Sequence, residues 1–435
     1  MHVVAAHGRR AVGRMALVGV LVLVLVVAVG GYVATKYMSQ STPPSGPSVI
    51  TIGMSMPLTG TFAEDGQMSL DGLQLWAQNV NASGGIYVSS LHRSLPVKLI
   101  VYDDQSNPTR VATLYQQLVT QDNVNFLIAP YASPLTLAAA PIADAHHILL
   151  LSHGGASDAI WQKNYSYVVG VLSPASQYMI PVINMLVNLN SSQPLNVAMF
   201  YGNDPFSIFV MNAAARYMQT QFPGKFNIVF NQSYQETATD YTAQLTQIAA
   251  TNADVILGGG HFTDGETIMK NIQAIGYNPK AVALLVAPDD VHFYQDLGTV
   301  ANFVLAPSQW EANLNYAGFS PYFGNITSQQ FATQFTGRFN MQPNYEAAEA
   351  YATGLVLEKA IIDSGSLNST VVRQQLNSEN FYTFYGHFQI APSGIQIGHT
   401  MVVVQWQNGA KQTIWPTSVA TAQFEYPAAP WAGRT

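Results

Sequence analysis

The chain has 435 residues, a formal net charge of −7 and only 9% charged residues, where an ordinary soluble domain carries roughly 25%. Apolar residues make up 48%, which excludes a disordered chain, and the acidic balance excludes a nucleic-acid partner that would need a basic patch. Cysteine is absent, so disulfides, thiolate metal sites, a Cys nucleophile and a Cys-linked lipid anchor are excluded as well.

Arg9, Arg10 and Arg14 precede residues 15–34, a stretch without charge. Twenty apolar residues in a helix rise about 30 Å, enough to cross a bilayer core. With the basic cluster before the span, the positive-inside rule puts the N-terminus in the cytoplasm and the body outside. The expectation is a cytoplasmic stub over 1–14, a transmembrane anchor or signal over 15–35 and a Pro/Ser linker over 36–48. Ala28 and Gly30 form a small-x-small site, so the alternative is a cleaved secretory signal. Six Asn-x-Ser/Thr sites, at Asn81, Asn164, Asn190, Asn231, Asn325 and Asn368, fit an exported glycoprotein.

From residue 49 onward, short β-branched runs alternate with helical patterns. Residues 49–54 read as a strand, 66–80 as a helix and 97–102 as a strand. Asn107-Pro108 reads as an N-cap followed by Pro at the first helical position. The wholly apolar runs 126–129 and 148–151 suit strands covered on both faces. The pattern repeats with strands at 197–201, 228–230, 255–257 and 282–286. Such βαβα order implies two parallel-sheet α/β domains. Phe331, Phe335 and Phe339 mark one helical face, 345–363 and 369–376 are further helices, and 386–390, 401–406 and 412–415 read as hairpin-like strands.

Ligands of open parallel sheets bind at the carboxyl ends of the strands. The loops there are 57–66 (PLTGTFAEDG), 130–134 (PYASP), 152–157 (SHGGAS), 202–206 (GNDPF), 258–264 (GGGHFTD) and 287–290 (APDD). Small residues in them let backbone N–H groups approach a ligand. Ser133-Pro134 reads as an N-cap and helix start, whose N–H groups suit a carboxylate; capping alone is the commoner role of such a serine. His261 reads as a general base, a ligand-contacting ring or a plain loop residue. His146, His147 and His153 lack further ligands at metal spacing, and Asp103-Asp104 reads as a strand end. Phosphate-loop, zinc-helix and nucleophile-elbow motifs are absent from the sequence, so no catalytic residue, cofactor or metal is expected.

Taken collinearly, IGMSMPLTGTFAEDGQMSLDGLQLWAQNVNASGGI, VYDDQSNPTRV, LIAPYASPLTLAAAPIAD, LLLSHGGASDAIW, NYEAAEAYATGLVLEKAI and TFYGHFQIAPSGIQIGHTMVVVQWQNG resemble the branched-chain amino-acid binding proteins of ABC transporters, the type I periplasmic binding fold. The resemblance implies two doubly wound α/β lobes joined by three crossovers, closing around a ligand like a hinged clamp. Lobe 1 would hold 49–171 and 306–384, lobe 2 would hold 172–305 and 385–420, and 421–435 would be a tail. Ser133, with Ala132 beside it, matches the family residue that binds a ligand carboxylate. Gly154 and Gly155 lie in the segment that grips carboxylate and ammonium. There Ala156 stands where the family has a hydroxyl, and Ser157 would substitute. Phe206 and His261 match aromatic positions of lobe 2, and Asp289 matches the acid that pairs with the ammonium. Asp65 replaces an aromatic that packs on the ligand side chain, so a purely aliphatic pocket is not implied.

The expected protein is an extracytoplasmic, membrane-tethered monomer that passes an amino acid or related small compound to an ABC permease. The alternatives are a sensor ectodomain of the same fold, with an amide or short-peptide ligand open, and a secreted hydrolase using His153 or His261. The low charge has a candidate reason in external acid. With carboxylates neutral, the 17 Lys and Arg and 10 His leave a charge of about +27, well below that of an ordinary chain of this length, which points to an acid-adapted surface protein.

Overall fold

The computed structural model describes residues 46–189, 193–322 and 324–434, together with helical positions 21–23, 25, 27 and 31. The chain divides into two compact units, Met1–Ser48 and Val49–Thr435. Most of the expected membrane span, the stub and Asn190 lie outside the described residues. No helix among the described residues is long and apolar enough to cross a membrane.

The larger unit is built on two sheets. The first contains β1 (Ile50–Met56), β2 (Val97–Asp103), β3 (Phe126–Ile128), β4 (Leu150–Ser152) and β5 (Val168–Gly170), all parallel, in the order β2-β1-β3-β4-β5. Helices α1 (Ala63–Ala82), α2 (Pro108–Thr120) and α3 (Ser133–Ala145) connect them. The second contains β6 (Leu195–Gly202), β7 (Phe226–Tyr234), β8 (Val255–Gly259), β9 (Ala281–Leu284), β10 (Val304–Ser308), β11 (Val402–Gln407) and β12 (Ala410–Trp415). Its order is β12-β11-β10-β9-β8-β6-β7. β6 to β10 run parallel, while β11 and β12 add an antiparallel edge. Helices α4 (Ile180–Val187), α5 (Pro205–Gln221), α6 (Thr242–Ala250), α7 (Phe262–Ala274) and α8 (Val291–Leu297) serve this sheet, and α9 (Ser328–Phe339), α10 (Tyr345–Ser364) and α11 (Ser369–Leu376) return to the first. Each sheet carries a buried apolar cluster on both faces. This is why its central strands are apolar throughout.

Local signals explain most element ends. Asn107 accepts hydrogen bonds from the N–H groups of Thr109 and Arg110, as its position before Pro108 predicts. Helix α10 ends where Gly365 takes φ of 62°, the left-handed conformation that favours glycine. Helix α1 begins at Ala63, earlier than the expected 66, with Glu64 and Asp65 in its first turn, where the helix dipole favours acids. Residues 387–389 pair with Asn380–Tyr382 in a separate ribbon rather than with the 401–415 hairpin.

Sheet membership places two crossings later in the chain than the expected boundaries at 306 and 385. β10 stays in the second sheet to Ser308, and Tyr385, Phe388 and Ile390 pack in the first lobe's core. Residues 421–434, expected as a tail, are docked on the second lobe. Phe424 and Tyr426 pack on the second lobe, and the Trp431 indole N–H donates to the Tyr277 carbonyl at 2.8 Å.

Candidate functional site

The chain leaves β3 through Pro130 and Tyr131 into α3. The sequence expects Ser133 as N-cap, but Ala132 holds that position and no side chain caps the helix. The hydroxyl is engaged elsewhere: Ser133 Oγ accepts the Ser157 N–H at 2.9 Å, joining two strand-end loops. Its own proton then remains to be donated. Ser157 Oγ donates across to the Pro205 carbonyl of lobe 2 at 2.9 Å. The glycines of SHGGAS are sterically required. A Cβ on Gly154 would lie 2.6 Å from the Tyr131 ring, and one on Gly155 would lie 2.4 Å from Thr136 Oγ1. The loop therefore lies flat on the start of α3.

The facing wall comes from lobe 2. Asp204 caps α5 by accepting the Phe206 N–H at 2.7 Å, which sets Phe206 edge-on to Tyr178 with centroids 4.9 Å apart. His261 packs edge-on to Phe62 at 4.6 Å, and its Nδ1 lies 3.2 Å from the Tyr131 hydroxyl of lobe 1. At the rim, His292 Nδ1 lies 2.8 Å from Glu64 Oε1, and Asn344 Nδ2 donates to Asp290 Oδ2 at 2.9 Å. The lobes are thus closed on a cavity of about 10 Å³ lined by Ser133, Phe206, His261, Tyr345 and Glu349, among others, room for roughly one water. A groove of about 430 Å³ beside Asp158 and Arg216 contains none of the predicted residues.

Of those predicted residues, Ala132, Ser133, Gly154, Phe206 and His261 line the cavity, as does Ala156, while Gly155 and Ser157 buttress it from behind. Asp289 stands apart. It is fully buried, its Oδ1 is 3.1 Å from Lys411 Nζ and its Oδ2 accepts the Tyr345 N–H at 3.1 Å. Lys411 also reaches Glu311 at 3.0 Å. Asp65 is 1% exposed and no hydrogen bond reaches its Oδ1. Burial, with Asp290 close by, holds its carboxyl well above the usual range.

Glu346 and Glu349 were not foreseen as site residues. Both are fully buried at the start of α10. Neither oxygen of Glu346 has a hydrogen-bond partner, while Glu349 Oε2 accepts from the Tyr385 hydroxyl at 3.2 Å. Burial raises both carboxyls well above their ordinary range, and neighbouring acids add to the effect at each. His153, 3.8 Å from Glu349, is pushed down to about 3 by the same burial. Burial thus favours the neutral form of Asp65, Glu346, Glu349 and His153 in this part of lobe 1, and of the four Glu349 lines the cavity. Two acids three residues apart on one face of an Ala-rich helix were the available signal. Neither His153 nor His261 hydrogen-bonds a serine hydroxyl, so neither makes the nucleophile–base contact expected of a Ser hydrolase; the serine–histidine contact that the structure does hold, Ser173 Oγ to His399 Nδ1 at 2.9 Å, is buried away from the cavity lining.

Residues 49–411 match the family model described as periplasmic binding protein. The Leu/Ile/Val-binding protein homolog 7 of Brucella suis is 18% identical, covering 87% of this chain and 94% of that protein. An amino acid binding protein of Pseudomonas aeruginosa is 21% identical over 83% of this chain and 91% of its own length. Among solved structures, the branched-chain amino acid binding protein LivJ of Streptococcus pneumoniae, in complex with isoleucine, superposes with a TM-score of 0.71 at 20% identity. It covers 85% of this chain and all of its own. A Rhodopseudomonas palustris solute-binding protein in complex with benzoate gives 0.71 at 14% identity, over 86% and 98%. With two lobes closed on a strand-end cavity and a family match over most of its length, the chain belongs to the periplasmic binding protein family.

Proposed function

We propose that this chain is an extracytoplasmic solute-binding protein that captures an amino acid or related small carboxylate between its lobes for an ABC importer. One observation carries the reading. Ser133, its acceptor role taken by the Ser157 N–H, lines an enclosed interlobe cavity with a hydroxyl proton to spare. A ligand carboxylate there receives a charge-assisted hydrogen bond beside the start of α3. Glu346, Glu349 and Asp65 supply acids for a ligand ammonium, whose charge would favour ionisation of one of them and release its proton to solvent on entry. Asp289, already paired with Lys411, acts in this reading by fixing the floor. Relatives named for leucine, isoleucine and valine, and neighbours holding isoleucine or benzoate, support a small carboxylate. The protein makes and breaks no bond in this role.

Residues 15–35 are proposed as a membrane anchor. Leu21, Val22, Leu23, Leu25 and Val27 are helical and more than half exposed, a face that lipid would cover. The delivery partner would be a permease, and the binding protein would act as a monomer. Asn164, Asn231, Asn325 and Asn368 are exposed and open to glycan. Asn81 is exposed too, but its amide donates to Val97 O and accepts the Val97 N–H. Thermal-shift screening with amino acids, amides, short peptides and aromatic carboxylates tests the capture reading. A ligand at a hundred times its Kd adds about 2.7 kcal/mol, and no stabilisation by any of them would overturn it.

A further inference from the structure

Three adjacent parallel strands of lobe 2 end in a second group of polar side chains. Asp204 follows β6, Glu236 follows β7 and His261 follows β8. One donor atom from each lies within 4.8 Å of the others. His261 Nε2 is 3.6 Å from Glu236 Oε1 and 4.0 Å from Asp204 Oδ1, too far for hydrogen bonds. Donors bound tetrahedrally at 2.0–2.2 Å from a metal stand roughly 3.4 Å apart, so the three need move only slightly to share an ion.

Two independent features point inward. His261 is 3% exposed, and neither its Nε2 nor Glu236 Oε1 has a hydrogen-bond partner; the fully buried Ser207 Oγ has none either. Glycine also lets the carboxylate pack against the strand ends, since a Cβ on Gly202 or Gly260 would lie 3.0 Å from Glu236 Oε1. The surroundings hold the donors in place. Asp264 accepts the His261 N–H at 2.8 Å and the Tyr234 hydroxyl, Asp204 Oδ1 is tied to the Phe206 N–H, and the far side of the imidazole faces Tyr131. The rim trio of Glu64, Asp290 and His292 is a contrast. There His292 is 31% and Glu64 42% exposed, so water solvates an ion pair that needs no metal.

We propose that Asp204, Glu236 and His261 form a binding site for one divalent first-row transition-metal ion of the zinc type. Imidazole and carboxylate donors without a thiolate suit such an ion, and its charge offsets the cost of burying two carboxylates together. The ion would also fix His261, which meets lobe 1, so it favours the closed clamp. The site goes beyond solute capture and does not depend on it.

The test uses the full chain, stripped with chelator and free of organic ligand. It is titrated with Zn²⁺ by calorimetry and with Co²⁺ by visible absorption. Expected are about one equivalent per chain, ligand-field bands from cobalt, and at least a tenfold loss of affinity in Glu236→Gln and His261→Ala, with the exposed Asp363→Asn binding as the parent does. Parent protein that takes up no ion, or Glu236→Gln that binds undiminished, overturns the proposal. Should a variant fail to fold, the cobalt spectrum of the parent chain decides by itself. A failed metal titration leaves solute capture standing, and a failed amino-acid screen leaves the metal site standing.

Discussion

Two sets of buried acids lie near the cleft and differ in one respect. Asp289 and Glu311 share Lys411, which reaches each at about 3 Å. Among the described residues, Glu346, Glu349 and Asp65 have no Lys or Arg at ion-pair distance, Glu349 having only the His153 imidazole at 3.8 Å. The first set shares one cation between two acids, with burial still lifting Glu311 to about 8, and it ties β12 to the 287–290 turn and the 309–312 segment. The second keeps its protons because ionising in a dry interior without a counter-charge is too costly. Acids of the same kind are therefore a fixed brace in one place and an unfilled demand for a positive group in the other.

The sharpest way to break this comparison is Lys411→Met, which leaves Asp289 and Glu311 buried without their cation. Removing one partner of a buried ion pair costs about 3–5 kcal/mol, to be read from urea denaturation; a loss below about 1 kcal/mol would mean that the brace is not bracing. The next effect is pH. Burial lifts Glu358 to about 8, and Glu346 and Glu349 well above their usual range. Folded, these groups hold protons more tightly than the unfolded chain does above about 4.5, so stability falls as pH rises from there, through about 8 for Glu358. The slope is about 1.4 kcal/mol per pH unit for each group. His153 and His399, pushed down to about 3 and 4, act oppositely, since below about 6.5 the unfolded chain takes up protons that they refuse. The acids outnumber the imidazoles, which places maximum stability near about pH 5; a maximum above pH 7 in denaturation at several pH values contradicts this.

Ser133→Ala removes the donor proposed for a ligand carboxylate. Binding weakens by about 1.5–3 kcal/mol, the value of a hydrogen bond to a charged group, and calorimetry with the best ligand from the screen reads it. The smallest expected change is in Glu346→Gln. A group already protonated loses little on becoming an amide, so folding shifts by less than about 1 kcal/mol while affinity for an ammonium-bearing ligand drops about tenfold. A large loss of stability instead would place Glu346 with the brace.

The fold was largely legible because its signals are local. Apolar runs bounded by turns gave the strands, and Asn107-Pro108 gave a helix start that the structure keeps. Ser133 was legible as a strand-end residue, and it lines the cavity, but its bonding was not, because Ser157, which occupies its oxygen, lies 24 residues away. Asp289 and Lys411 are separated by 122 residues, and no pattern in either segment announces the other. Glu346 and Glu349 were hidden for another reason. Acids in the first turns of a helix normally sit there for its dipole in water, and only tertiary burial shows that these do not. That burial also sharpens the compositional oddity. Several of the 24 acids sit in the interior, so the surface carries still less negative charge than the count suggests.

The nearly filled cavity has a consequence for time rather than strength. With room for about one water between the closed lobes, no amino-acid-sized guest can slip in or out past a standing rim. Each exchange waits for Glu64 to leave His292 and Asn344 to leave Asp290. Those contacts act on the open–closed equilibrium and do not touch the guest, so they work as an escapement, setting how long a captured molecule stays while the cavity walls decide which molecule it is.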